Sequence, residues 1–100
     1  MRRTLTALLA LLTATAAPPA RAAAAILQYF HLGRALQVSG RLDDAEGNLR
    51  QAVRLDPTNP LYHRQLALLL REAGKTEEAE REMQVHRDLL QRKQRQSDAG

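Results

Sequence analysis

The chain has 100 residues, 15 basic and 11 acidic, with no cysteine and no tryptophan, which leaves room for one small domain and excludes a large enzyme core or a disulfide scaffold. Apolar residues make up 44% and aromatic residues 3%, a composition for helices packed through Leu and Ala and not for a platform on which nucleobases stack. The charge is uneven: Arg2, Arg3 and Arg21 precede every acid, so residues 23–100 hold 12 basic against 11 acidic groups and the isoelectric point near 10.3 owes most to the first 22 residues.

Those residues have three parts: a basic start at Met1 to Arg3, a run of Leu, Ala and Thr from Leu5 to Ala17, and Pro18-Pro19-Ala20-Arg21-Ala22, which breaks the run and ends in Ala-x-Ala. This layout predicts a secretory signal peptide over residues 1–22, cut after Ala22. A membrane-spanning helix is the weaker reading, because Thr4 to Ala17 is 14 residues and a crossing needs about 20. Arg2-Arg3 is ordinary leader charge, since Thr4-Leu5-Thr6 lacks the rest of a twin-arginine signature. The expected product is exported, periplasmic or secreted, without stable membrane insertion and without a cysteine to carry a lipid.

A helix follows, with Ile26, Tyr29, Phe30, Leu32, Gly33 and Leu36 spaced for one face. Ser39-Gly40-Arg41 breaks it, and Leu42, Ala45, Leu49, Ala52 and Val53 start the pattern again. Asp43 and Glu46 have capping-box spacing, which places the second helix start beside Asp43. Pro57 stops that helix. Asn59 caps a third, with Pro60 at its first position, where a missing N–H costs nothing. It extends to about Ala73. Gly74 then repeats the part of Gly40, and Thr76 caps a fourth helix. Glu77, Glu78, Glu80 and Glu82 sit near its positive end, and Arg87, Arg92, Lys93 and Arg95 toward its negative end. It is expected to close near residue 94, leaving residues 94–100 as a disordered polar tail.

A shift of 34 aligns Leu27, Leu32, Leu36, Gly40, Ala45, Glu46 and Leu55 with Leu61, Leu66, Leu70, Gly74, Ala79, Glu80 and Leu89. The conservative pairs Arg41/Lys75, Asp43/Glu77, Asp44/Glu78 and Leu49/Met83 join them. Self-similarity at one period marks a stacked two-helix unit. In its period and in Tyr29, Leu32-Gly33, Leu36, Ala45, Leu49 and Pro57, the first copy resembles a tetratricopeptide repeat. The second keeps Leu66-Ala67, Leu70, Ala79 and Met83, but has His63 at the aromatic position and Gln91 at the proline, as a last repeat would.

The resemblance implies an all-α fold of four helices, two antiparallel helix-turn-helix units stacked as a short right-handed solenoid, with repeats at 23–59 and 60–93 after the leader. The packing positions are then Tyr29, Leu32, Gly33, Leu36, Ala45, Leu49, Ala52 and Pro57, with Leu66, Ala67, Leu70, Ala79 and Met83. His86, standing where the first copy has Ala52, suits an end where no further repeat docks. Two repeats are few for a stack that buries each unit on its neighbour. Some apolar surface is expected to stay open for another chain or for a second copy.

The resemblance also implies a concave groove for a peptide of another protein, lined by the first helix of each pair. By register the lining is Leu27, Phe30, Arg34, Gln37 and Val38, then Leu61, Arg64, Leu68, Arg71 and Glu72. Arg34, Arg64 and Arg71 are suited to carboxylates of a partner. The family's clamp for a chain-terminal carboxylate needs Lys and Asn, whereas Phe30, Arg34 and Gln65 stand at those places, so that specificity is not expected.

Chemistry finds little support. Ser39 falls in a turn and Ser97 in the tail, away from any base. His31, His63 and His86 lie on three helices without metal-ligand spacing, and the fourth helix's glutamates wind round it without converging. No catalytic residue, cofactor or metal is expected. Arg87, Arg92, Lys93 and Arg95 are balanced by upstream acids, which argues against nucleic acid and leaves only a weak contact with anionic lipid. The expected function is an exported adaptor for protein–protein contact in the cell envelope, in assembly or secretion of a larger complex. The alternative is a self-associating structural or regulatory subunit that docks through its apolar terminal or convex surface.

Overall fold

The computed structural model describes residues 20–99. Among them are four helices and no strand: α1 Ala20–Val38, α2 Leu42–Leu55, α3 Pro60–Glu72 and α4 Thr76–Ala99. The predicted leader lies outside the described residues except for Ala20, Arg21 and Ala22. These three are helical and not part of a break.

Both hairpin turns are built alike. At the end of α1, Arg41 N–H donates to Leu36 O at 2.9 Å and Gly40 N–H to Gln37 O at 3.0 Å; at the end of α3, Lys75 N–H donates to Leu70 O at 2.8 Å and Gly74 N–H to Arg71 O at 3.1 Å. This is the six-to-one closure that needs a left-handed residue, and Gly40 and Gly74 supply it with φ of 80° and 81°. The second helix of the first pair starts beside Asp43 as expected, but the caps differ from expectation. Arg41 and Lys75 occupy the residue before each second helix, their carbonyls accepting from Ala45 and Ala79 N–H at 3.0 Å. Asp43 and Thr76 are therefore inside the first turn and do not cap, and Asp43, Asp44, Glu77 and Glu78 act on the helix dipole instead. Asn59 does cap α3, its Oδ1 accepting from Leu61 N–H at 3.1 Å.

Helices α1 and α2 form one hairpin and α3 and α4 the other, joined through α2 against α3 with a narrower α1–α3 contact. The core is Ile26, Phe30, Ala45, Leu49, Ala52, Tyr62, Leu66, Leu69, Leu70 and Ala79. Small residues mark the close approaches: Gly33, Ala45, Ala52, Ala67 and Ala79 are buried, and Met83 and Leu36 are half-buried. Two assigned packing residues depart from this. Tyr29 and Leu32 are 36% and 52% exposed, whereas their second-copy counterparts His63 and Leu66 are 6% and 1% exposed. The reason is positional: α2 covers α3, and nothing in the described residues precedes α1 to cover it. Pro57 is exposed too, just past the end of α2.

A four-membered ion network ties the hairpins together. Glu46 receives Lys75 Nζ and Arg50 Nε, each at 2.9 Å, and Arg50 also reaches Glu78 at 2.6 Å. Burial pushes the Glu46 carboxyl up, but the hydrogen bonds from Lys75 and Arg50 outweigh it and hold it below the usual carboxylate value. The expected disordered tail is instead helical: α4 continues through residues 94–99, wholly exposed. No proline or glycine stands between Gly74 and Ala99 to stop it earlier.

Candidate functional site

Helices α1 and α3 lie side by side, and a polar chain fastens one to the other. Gln65 Nε2 donates to Gln37 Oε1 at 2.8 Å, and Gln37 Nε2 donates to Glu72 Oε1 at 2.7 Å. Deeper between the helices the Phe30 and Tyr62 rings pack with centroids 4.9 Å apart. The surface above these contacts is the expected groove.

Its lining is narrower than the sequence predicts. Leu27 and Leu61 are about half exposed, Arg34 and Arg64 are exposed, and Leu68 is half-buried, so these five remain open to a partner. Phe30 does not line the groove: it is 4% exposed, buried against Tyr62, and Arg34 lies over its ring at 5.7 Å from the centroid. The α1–α3 contact claims the ring. Gln37 is spent in the bridge, with Glu72. Arg71 is exposed but leans toward Glu80 at 3.5 Å. Val38 stands at the end of α1, 90% exposed.

Among the described residues, neither Arg34 nor Arg64 pairs with a carboxylate, whereas Arg41, Arg50 and Lys75 do. Arg34 is moreover held by its stacking on Phe30, which reduces the freedom lost when it binds. The groove thus presents two open guanidinium groups among leucines, a surface for an acidic segment with apolar side chains.

At the Leu27 end the groove adjoins a cavity of about 310 Å³ lined by Ala23, Ile26, Leu27, Leu55, Asp56 and Tyr62. Burial first, and then the Asp56 carboxylate, push the Tyr62 phenol above its usual value. Sequence reasoning missed this cavity, because it joins the start of α1 to the end of α2 across a hairpin. The one available signal was Tyr62, an aromatic with only Gln28 as its counterpart in the first copy.

The histidines are structural or exposed. His63 Nδ1 lies 2.6 Å from Glu82 Oε2, and its Nε2 lies 2.7 Å from Pro57 O, so one buried ring ties the α2–α3 connection to α4. His86 Nδ1 lies 2.8 Å from Pro60 O, and His31 is exposed. Among the described residues no three His, Cys, Asp or Glu side chains gather as a metal site requires, and no helix is long and apolar enough to cross a membrane.

Comparison with protein families matches residues 26–59 to one tetratricopeptide-repeat model and residues 48–81 to a second. The first match spans α1 from Ile26 onward, α2 and the turns after each. The second takes the repeat in another phase, from the middle of α2 through α3 into the first turn of α4, and the two together cover more than half of the chain. No curated protein matches the sequence.

Proposed function

We propose, for a chain that belongs to the tetratricopeptide-repeat family and is therefore built as a protein–protein interaction module, that it acts as an exported adaptor in the cell envelope, gripping an acidic, partly apolar segment of another protein. The observation that carries this reading is the pair of guanidinium groups, Arg34 and Arg64, left without carboxylate partners between Leu27, Leu61 and Leu68. A carboxylate arriving there forms charge-assisted bonds, and the leucines supply apolar contact. Export rests on the leader pattern of residues 1–22. The chain has no proposed chemistry of its own; it contributes by holding its partner during assembly or secretion of a larger complex.

The test is crosslinking in cells, identification of the bound segment, and titration of that segment as a synthetic peptide. Changing Arg34 and Arg64 together to Ala is expected to weaken binding about 10-fold or more, with the remaining affinity less sensitive to salt. Binding that ignores the double change but is lost with Leu90→Glu would move the partner site to the exposed face of α4 and end the groove reading.

A further inference from the structure

The two ends of the stack are not alike. At the α3–α4 end, four positions at which the first repeat meets or faces the second have become charged or bulky: Phe30 is replaced by Arg64, Gln37 by Arg71, Ala52 by His86 and Val53 by Arg87. That end is closed to another repeat, because stacking there would bury several cations at once. The α1 end is the reverse. Ala22, Ala25, Tyr29, Leu32 and Leu36 follow one another at spacings of three and four along one stripe of α1, with no charge among them.

We infer that this stripe pairs two copies of the chain, α1 against α1 in antiparallel orientation about a two-fold axis near Tyr29. Three observations choose a second copy. The stripe is self-complementary: its small residues lie toward the N-terminus and its large ones toward the C-terminus, so reversal sets Ala22 and Ala25 opposite Leu36 and Leu32 of the other copy. A head-to-tail stack, the other way for copies to meet, is barred by the charged far end. The helix ends also match. Helix α1 has no acid in its first turn, and α2 begins four residues after α1 ends. Antiparallel pairing therefore brings Asp43, at the start of one copy's α2, toward Arg21 on the other copy's α1. Should the leader be cut after Ala22, the new ammonium group at Ala23 takes the place of Arg21, and the stripe runs from Ala25 to Leu36 with Ala25 opposite Leu32.

The consequence is a bivalent particle. Leu27 and Arg34 lie on a different side of α1 from Tyr29 and Leu32, so pairing leaves both grooves open, and a partner offering two segments would be held by avidity.

The full chain, exported and purified with its N-terminus read by mass spectrometry, is examined by sedimentation equilibrium from about 1 to about 300 μM. A dimer is expected, and Leu32→Glu should raise its dissociation constant about 30-fold or more with helical circular dichroism unchanged. Because the chain has no cysteine, single substitutions report geometry cleanly: Tyr29→Cys should form an intermolecular disulfide on mild oxidation, and Leu90→Cys should not. A monomer throughout the range overturns the inference. So does a dimer that Leu32→Glu leaves intact, or one that crosslinks through Leu90→Cys and not through Tyr29→Cys.

Discussion

Replacing Gly33 with Ala tests the closest approach in the first hairpin. A Cβ at Gly33 would stand 2.7 Å from Leu49 Cγ, 2.8 Å from Leu49 Cδ2 and 3.3 Å from Ala45 O. The Leu49 atoms include the branch carbon of a side chain with no exposed surface, so no flexible tip can swing aside, and the backbone oxygen blocks the other direction. In isolation a helical Gly→Ala change stabilises by about 1 kcal/mol. Here overpacking costs about 1 to 3 kcal/mol, and contact with the branch carbon puts it in the upper part of that range. The expected net loss is about 1–2 kcal/mol, a fall in Tm of roughly 5 to 15 °C for a domain of this size. The second hairpin offers the control. It carries Ala67 at the equivalent position, opposite the unbranched Met83 in place of Leu49. Transplanting that pair as Gly33→Ala with Leu49→Met should restore most of the loss, with a coupling of about 1 kcal/mol in a double-mutant cycle. Denaturant unfolding followed by helical circular dichroism, at one fixed protein concentration, reads the parent chain, both single variants and the double. If Gly33→Ala proves neutral or stabilising, or if it costs as much on the Leu49→Met background as on the parent, the packing account of this position is wrong.

The ion network makes stability depend on pH in a definite direction. Because the folded chain holds the Glu46 carboxyl below its ordinary value near 4.5, the contribution is complete above that value and is lost as pH falls through the lowered one. Glu46→Gln should therefore cost about 1 kcal/mol at pH 7, with the gap to the parent chain closing in acid and shrinking in high salt. Equal gaps at pH 7 and pH 3 would rule this out. His63 offers a structural test: His63→Ala removes the ring that joins Pro57 O to Glu82 and should cost about 2 kcal/mol or more. His63→Phe keeps the volume but leaves both acceptors unbonded and should recover only part of this. Full recovery by Phe would show that packing alone places a large ring there.

Much of this molecule was legible along the chain because its signals are local. The 34-residue period, Gly40 and Gly74 at the turns, Asn59-Pro60 at the start of α3 and the small residues Gly33, Ala45 and Ala79 each act within a few residues or within one hairpin, and each does its part in the fold. What only the tertiary structure decided depends on neighbours from elsewhere in the chain. Family position assigns Tyr29 and Leu32 to packing, yet whether they are covered depends on a helix before α1, and among the described residues there is none. Register assigns Phe30 to the groove, yet Tyr62, 32 residues away, takes it into the core. The cavity beside Leu27 joins residues from three helices, so no window of sequence contains it. Periodicity fixes which residues share a helix face, since backbone geometry repeats by itself; what that face meets is set by the contacts between helices.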